Sequence, residues 1–447
     1  MKVFVETFGC QMNKLDSDLV LSALERAGFE GVSSDADADL VILNTCSVRA
    51  HAEDKVYSRL GALARRKSAR PGFILAVMGC MAQGQGARLL ERVPSLDLVV
   101  GTAAFARFPE FVEAVRAGAG PVVALDGDPA VLEERRLARA LPGKRRAFVS
   151  IMRGCENFCS YCVVPYVRGP EVSRPPDEIL AQVRSLVASG VVEVTLLGQN
   201  VNSYGARSPH MWSLPALLRF LNDVEGLKRI RFITNHPRDM TGEILECMRD
   251  LPCVMESLHM PVQSGSNRIL AAMNRGYTRE HYLSIIDLAR EIVPAVEITG
   301  DFIVGFPGET DADFGDTLDL LERCQYRNAY IFKYSPRPRT AAGKLPDDVP
   351  DTVKRARHAE LLAGQNDVSL GLHARLVGSV QEVLIDGPSR TNPQRLTGRS
   401  RGDHIVLVDG AQDLVGKIVP VRIESVTALA LYGRLEVSSP QDQRTQV

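Results

Sequence analysis

Short apolar runs alternate with longer stretches in which apolar residues recur at helical spacing, and this rhythm changes twice along the chain. In the first part the strand-like runs are Lys2–Glu6, Leu40–Leu43, Phe73–Met78 and Leu96–Val100. The helical stretches after them are Ser17–Ala27, Glu53–Arg66, Gly86–Arg92 and Phe108–Arg116. Strand followed by helix, repeated, predicts a Rossmann-like parallel sheet in a domain over residues 1–118. The turn sequence from Gly118 to Pro121 and the charge-dense stretch from Glu133 to Arg146 then read as a linker over 119–145.

A second series runs over 146–374. Its predicted strands are Phe148–Met152, Glu193–Leu197, Arg229–Thr234, Glu256–Met260, Glu297–Val304 and Tyr330–Tyr334. Between them lie Pro176–Ser189, Leu214–Asn222, Thr241–Met248, Thr278–Ile292 and Thr310–Cys324, and a long helix Asp351–Arg375 closes the series. Six such units fall short of the eight of a closed barrel, so a partial, open (β/α)6 barrel of TIM type is expected. Over 375–437 five short strands with Gly-rich turns predict a small antiparallel β-barrel of the oligonucleotide-binding kind. They are Val380–Ile385, Arg395–Thr397, His404–Val408, Ile418–Glu424 and Leu431–Val437. The polar residues 438–447 read as a disordered tail. The fold class is α/β with an appended β-barrel.

Of 447 residues, 45% are hydrophobic and 24% charged, which excludes wholesale disorder. The longest near-continuous apolar run, Phe73 to Ala82, is too short to cross a bilayer, and the first residues lack the apolar core of a signal peptide. A cytoplasmic protein with no membrane partner is expected. With 53 basic against 54 acidic side chains, no global field attracts nucleic acid, so any RNA contact must come from local patches. Nine cysteines, an odd number in a long chain, argue for metal ligation or catalysis over a disulfide framework.

Two groups of cysteines stand out. Cys155, Cys159 and Cys162 follow a predicted strand at Cys-x3-Cys-x2-Cys spacing, close enough to wrap one metal centre. A structural zinc would need a fourth ligand, yet the next cysteine is Cys247. Three ligands leave one position open, and on an iron–sulfur cube an open iron could chelate S-adenosylmethionine. Cys10, Cys46 and Cys80 are 36 and 34 residues apart, and each lies just beyond a predicted strand. In a parallel sheet all strand C-termini share one edge, so these three should converge. Cys247, Cys253 and Cys324 show no such pattern and read as structural thiols.

The first motif, with Tyr161 before its last cysteine, resembles the signature of the radical S-adenosylmethionine superfamily. That resemblance implies a partial barrel and reductive cleavage of the cofactor to a 5′-deoxyadenosyl radical. It also implies cofactor contacts at Tyr161, at Gly198, Gln199 and Asn200, at Gln263 and Ser264, and at Gly305 and Glu309. Two three-cysteine sites in one chain resemble the methylthiotransferase family. The resemblance then implies two [4Fe-4S] clusters: one auxiliary cluster on Cys10, Cys46 and Cys80 that donates sulfur, and one on Cys155, Cys159 and Cys162 that binds S-adenosylmethionine.

Within that family, the runs Thr7–Asn13, Asn44–Arg49, Phe148–Cys155, Cys162–Tyr166, Arg168-Gly169, Glu171–Pro175 and Gln199–Tyr204 are similar to the branch that modifies dimethylallylated adenosine in tRNA. Its reaction adds a methylthio group to carbon 2 of N6-(dimethylallyl)adenosine at position 37, 3′-adjacent to the anticodon. Sister branches act on threonylcarbamoyl-adenosine in tRNA or on a ribosomal-protein aspartate. Arg153, Glu156 and Arg339, the last in place of a usual glycine, depart from the family pattern. The implied partners are the dimethylallylated tRNA and an electron donor such as flavodoxin or ferredoxin, with the chain a monomer.

The C-terminal barrel resembles that family's RNA-binding TRAM module. Over 375–437 it carries eight Lys and Arg against seven Asp and Glu, weak support for phosphate binding. Arg390, Arg395, Arg399 and Arg401, with no acid between them, are the better candidates, joined by Arg168, Arg174, Lys333 and Arg337 elsewhere. A reading of another class is a non-catalytic iron–sulfur electron carrier or RNA-binding redox sensor. An electron carrier gains nothing from two open coordination sites or from a barrel, which argues against it.

Overall fold

The computed structural model describes residues 1–47, 50–127, 144–207 and 212–436, apart from the side chains of residues 50–54. The expected tail 438–447, most of the stretch from 133 to 146 and the end of the last expected strand lie outside these residues.

The first domain is a six-stranded parallel sheet in the order β2-β1-β3-β4-β5-β6. Its strands are β1 (Lys2–Phe8), β2 (Glu30–Gly31), β3 (Leu40–Thr45), β4 (Ile74–Gly79), β5 (Leu98–Val100) and β6 (Val122–Ala124). Every residue of β3 and β4 is buried, because helices cover both faces and leave no solvent side to demand alternation. Val41, Leu43, Leu75 and Val77 meet Val56, Leu60 and Leu63 of helix Ala50–Ala69. On the other face Ile42, Ala76 and Met78 meet Val20 and Leu24 of helix Gln11–Arg26 and Phe108 and Phe111 of helix Phe108–Arg116.

Two edge strands escape the periodicity. β2 has two residues and β6 three, too few to show a pattern. β6 corrects the linker: Val122–Ala124 lies within 119–145 but pairs with β5 as part of the sheet.

The central domain holds β7 (Arg146–Ser150), a short antiparallel pair β8 (Met152–Arg153) and β9 (Val172–Ser173), then β10 (Glu193–Leu197) and β11 (Arg229–Phe232). β12 (Ser257–His259), β13 (Glu297–Val304) and β14 (Asn328–Lys333) complete it. β7, β10 and β11 form one parallel sheet and β12, β13 and β14 another. Ile230 joins them, donating to Cys253 O at 2.6 Å and accepting from Met255 N at 3.0 Å. The result is six parallel strands in an open arc around one apolar core. Helix Asp351–Ala374 seals its end, with Gln365 and Ser369 donating to the carbonyls of Tyr326 and Arg327 at 2.8 Å.

β15 (Val380–Pro388), β16 (Leu396–Ser400), β17 (Ile405–Val408), β18 (Ile418–Val426) and β19 (Leu431–Leu435) close a barrel in the order β15-β16-β17-β19-β18. Closure leaves no free edge. Four of its pairings are antiparallel, while β17 and β19 run parallel. The barrel docks on the N-terminal strand ends of the central arc. Buried Arg229 donates to Arg399 O at 2.8 Å and Glu382 O at 2.9 Å, and Arg231 to Ser400 O at 2.7 Å. Arg401 grips both oxygens of Glu256 at 2.8 Å, and Arg146 pairs with Asp386 at 2.7 Å. No helix among the described residues is long and apolar enough to cross a membrane.

Candidate functional site

The three N-terminal cysteines share one edge because their strands are parallel. Cys10 caps helix Gln11–Arg26 after β1, Cys46 follows β3, and Cys80 begins helix Cys80–Gln85 after β4. Glycines permit the approach: a Cβ on Gly9 would lie 2.8 Å from the Cβ of Cys46, and one on Gly79 would lie 2.5 Å from Thr45 O. Beneath them is a buried amide network. Asn13 Nδ2 donates to Asn44 Oδ1 at 3.0 Å, and Asn44 Nδ2 donates to Asn13 O at 2.7 Å and Ser17 Oγ at 2.9 Å. A hydrogen bond with Cys46 and the charge of Arg168 lower Cys10 to about 6 against its burial, whereas burial raises Cys80.

The second triad is wound in one loop. Gly154 precedes it at φ +72, and a Cβ there would sit 1.8 Å from Pro170 O, so only glycine fits. Phe158 adopts φ +46, its carbonyl accepting from Asn274 Nδ2 at 3.0 Å. Backbone N–H groups of Asn157 and Val164 donate to Cys155 and Cys162. Buried Arg275 donates to Cys159 Sγ at 3.3 Å, to Tyr277 Oη at 2.9 Å and to Pro261 O at 2.7 Å. Burial, and then repulsion from Cys159, pushes Cys162 up to about 12. Burial likewise raises Cys155.

Among the described residues no three His, Cys, Asp or Glu side chains are grouped closely enough to hold a single metal ion. Three thiols with N–H···S donors around them are the donor set that an iron–sulfur cluster takes. None of the nine cysteines is in a disulfide, and Cys247 and Cys324 are buried in the central core.

Beside the second triad, at the C-terminal strand ends, lie buried polar atoms with no hydrogen-bond partner among the described residues: Gln199 Oε1, Asn200 Oδ1, Asn235 Oδ1 and His236 Nε2. Buried polar groups are ordinarily satisfied, so this cluster fits a polar ligand such as S-adenosylmethionine. His236 Nδ1 accepts from Arg238 N at 3.3 Å, so its proton sits on the unpartnered Nε2, and burial drops its pKa to about 2. Asn200 Nδ2 is held by Asp239 at 2.6 Å, and Gly198 packs on Met152, whose Cγ would lie 2.5 Å from an added Cβ.

The other expected cofactor residues divide. Gln263, at φ +79, bridges Phe302 near the same end, and Tyr161 Oη accepts from Arg275 at 3.4 Å. Ser264 faces Thr317 at 3.4 Å, and Glu309 binds Gly305 N at 2.6 Å and Arg357 at 2.8 Å. These three positions tie loops to helices Asp311–Cys324 and Asp351–Ala374. Asn235, His236 and Arg275 were missed in the sequence. The signal for the first two was their place just past the third strand of the arc, whereas Arg275 follows a helix and carried none.

Helix Val164–Arg168, which starts two residues after Cys162, docks on the first domain. Val163 and Val167 pack against Cys80, and Thr102 Oγ1 donates to Val167 O at 2.6 Å. At ~1.5 Å rise per residue that five-residue helix spans only about 7 Å, so both triads lie on one short path.

The basic residues expected at RNA fall into three groups. Arg168 and Arg174 are buried: Arg168 pairs with Asp16 at 2.6 Å, and Arg174 donates to Gln182 at 2.8 Å and Ser150 O at 2.5 Å. Arg401 sits in the docking interface, and Arg399 is tied to Asp403 O at 3.0 Å beside it. Their charge is met inside the protein, which a count of basic residues cannot register. Arg390 is exposed, Arg395 pairs with Asp409 at 3.0 Å, Lys333 pairs with Asp351 at 3.1 Å, and Arg337 is half-buried.

Comparison with known proteins agrees with this architecture. Residues 149–321 match the radical SAM superfamily, residues 2–101 the uncharacterized protein family UPF0004, and residues 374–435 the TRAM domain. The structure of TsrM from Kitasatospora setae, a radical S-adenosylmethionine methyltransferase, superposes with a TM-score of 0.57 over 87% of this chain and 79% of its own, at 14% identity. A partial barrel carrying a Cys-x3-Cys-x2-Cys loop defines a radical S-adenosylmethionine enzyme. A tRNA-2-methylthio-N(6)-dimethylallyladenosine synthase of Moorella thermoacetica is 46% identical over 96% of this chain and 97% of its own length. One of Geobacter metallireducens is 47% identical over 97% and 98%. The chain belongs to that family.

Proposed function

We propose that the protein adds a methylthio group to carbon 2 of N6-(dimethylallyl)adenosine at position 37 of tRNA. The observation that supports this reading is that the loop carrying one cysteine triad runs into helix Val164–Arg168, which packs on Cys80 of the other. Cys155, Cys159 and Cys162 would hold the cluster that binds S-adenosylmethionine, and Cys10, Cys46 and Cys80 the auxiliary cluster. When bound, these groups and S-adenosylmethionine supply the radical, the sulfur and the methyl group.

The chain's own residues then bind, orient and shield. Gln199, Asn200, Asn235 and His236 offer unsatisfied polar atoms to the cofactor, with His236 neutral and donating from Nε2. Arg275 fixes Cys159 and Tyr161 in one hydrogen-bonded unit. Backbone N–H groups of Asn157 and Val164 reach the sulfurs of Cys155 and Cys162, and N–H···S bonds set how readily a cluster accepts an electron. TRAM-barrel residues, Arg390 foremost, would contact tRNA phosphates.

A flavodoxin or ferredoxin as electron donor, a monomeric chain and a cytoplasmic location complete the reading. The test is mass spectrometry of tRNA treated with anaerobically reconstituted protein, reductant and S-adenosylmethionine. Dimethylallylated tRNA should gain a methylthio group, while threonylcarbamoylated tRNA and ribosomal protein should not. Modification of either comparison substrate in its place would overturn the assignment.

A further inference from the structure

We propose that Arg168 is a positioning residue of the N-terminal triad: anchored on Asp16, its guanidinium hydrogen-bonds Cys80 and eases one-electron reduction of the cluster bound there. This rests on reading Cys10, Cys46 and Cys80 as cluster ligands. Arg168 Nε donates to Cys80 Sγ at 3.3 Å, and Nη2 to Asp16 Oδ2 at 2.6 Å. The ion pair is enclosed, with side chains 7% and 0% exposed.

An enclosed ion pair is weak evidence for stability, because desolvation offsets most of its attraction. A purely structural role would be met as well by apolar packing, which Val163 and Val167 already give at this place. What the guanidinium adds is direction. Asp16 holds one edge, and the Nε–H points at a sulfur.

The second triad repeats the device with an unrelated residue, since buried Arg275 donates to Cys159 Sγ at the same 3.3 Å. Each triad thus has one buried guanidinium on one sulfur. A cluster on three thiolates becomes more negative when it gains an electron. A positive charge and a charge-assisted N–H···S bond stabilise that reduced form and raise its potential. Arg168 also stands on the helix rooted at Cys162, so the loop of one triad carries the side chain that tunes the other.

The test uses the full chain with Cys155, Cys159 and Cys162 replaced by Ala, so that only the N-terminal triad holds iron. Midpoint potentials followed by electron paramagnetic resonance are compared for Arg168, Arg168→Lys and Arg168→Gln. Arg168→Gln should shift the reduction equilibrium about tenfold, or ~59 mV more negative for a one-electron couple. Arg168→Lys should shift less, in the same direction. Iron lost from a variant with unchanged circular dichroism and melting also supports the proposal, since Cys80 is then no longer held for ligation. An unchanged midpoint with full iron overturns it, and so does unfolding of both variants, which would make the ion pair structural. If the chain with Arg168 intact binds no iron, the cluster reading itself fails and the proposal with it.

Discussion

The two cysteine triads present the same three thiols and are built by opposite routes. The central one is wound within a single loop, from Cys155 to Cys162, and needs little beyond Gly154 and the turn at Phe158 to take shape. The N-terminal one gathers residues 36 and 34 apart and exists only once β1, β3 and β4 have paired in register. Their electrostatics differ as well. Cys46 and Arg168 hold the Cys10 thiol low, at about 6, while burial holds Cys162 high, at about 12. Cys10 is thus a thiolate near neutrality before any metal arrives, while Cys80 beside it and Cys155 and Cys162 in the other triad hold protons that a metal must displace. The lesson is that equal ligand sets, each with one buried cation, can be poised differently by a hydrogen-bonding neighbour thiol and by the depth of burial.

Removing each triad in turn gives the largest expected effects. Replacing Cys155, Cys159 and Cys162 by Ala should abolish both S-adenosylmethionine cleavage and methylthiolated product. Replacing Cys10, Cys46 and Cys80 should halve the iron and end methylthiolation, yet 5′-deoxyadenosine should still form. Product from the second variant would dissolve the division of labour between the triads.

The electrostatic half of the comparison is open to alkylation of iron-free protein. Only thiolates react, so at pH 7 Cys10 should label orders of magnitude faster than Cys162. Its labelling rate should rise with pH through about 6 and then level, while Cys162 stays unlabelled far above neutrality. Peptide mapping of the modified cysteines reads both, and equal rates would erase the contrast.

A smaller effect sharpens the picture beside the central triad. Asn235→Ala removes one unsatisfied acceptor and should weaken S-adenosylmethionine binding about tenfold, or ~1.4 kcal/mol, by calorimetry. Unchanged affinity would turn that cluster of polar atoms away from the cofactor. The smallest effect separates the barrel's arginines. Arg390→Ala should lower the slope of log tRNA affinity against log salt by about 1, because a phosphate contact is lost. Arg401→Ala should leave that slope nearly unchanged and instead loosen the docked barrel, seen as a lower melting temperature. Equal salt slopes in both variants would place the RNA elsewhere.

Most of the fold was legible because its signals are local. Glu193–Leu197, Leu214–Asn222, Glu297–Val304 and Phe108–Arg116 have the bounds that apolar periodicity gave them. Where the signal was short it failed, as at β2 and β6, whose places are decided by a neighbour's free edge. The two triads were legible for different reasons, one from spacing and the other from the rule that parallel strands end together.

The charged residues were not legible in that way. Their number and order fix the net charge of −1, and the cysteine spacings and family motifs in the same string point to the chemistry. Only the tertiary structure decided which charges face inward. Arg168 and Arg174 went to buried partners, Arg401 and Arg229 to the seam between two domains, and Arg275 to a sulfur. Hydrophobic periodicity is set by chain neighbours a few residues away. A guanidinium can reach a partner 152 residues distant, as Arg168 does with Asp16, so its role depends on contacts that exist only after the chain has folded.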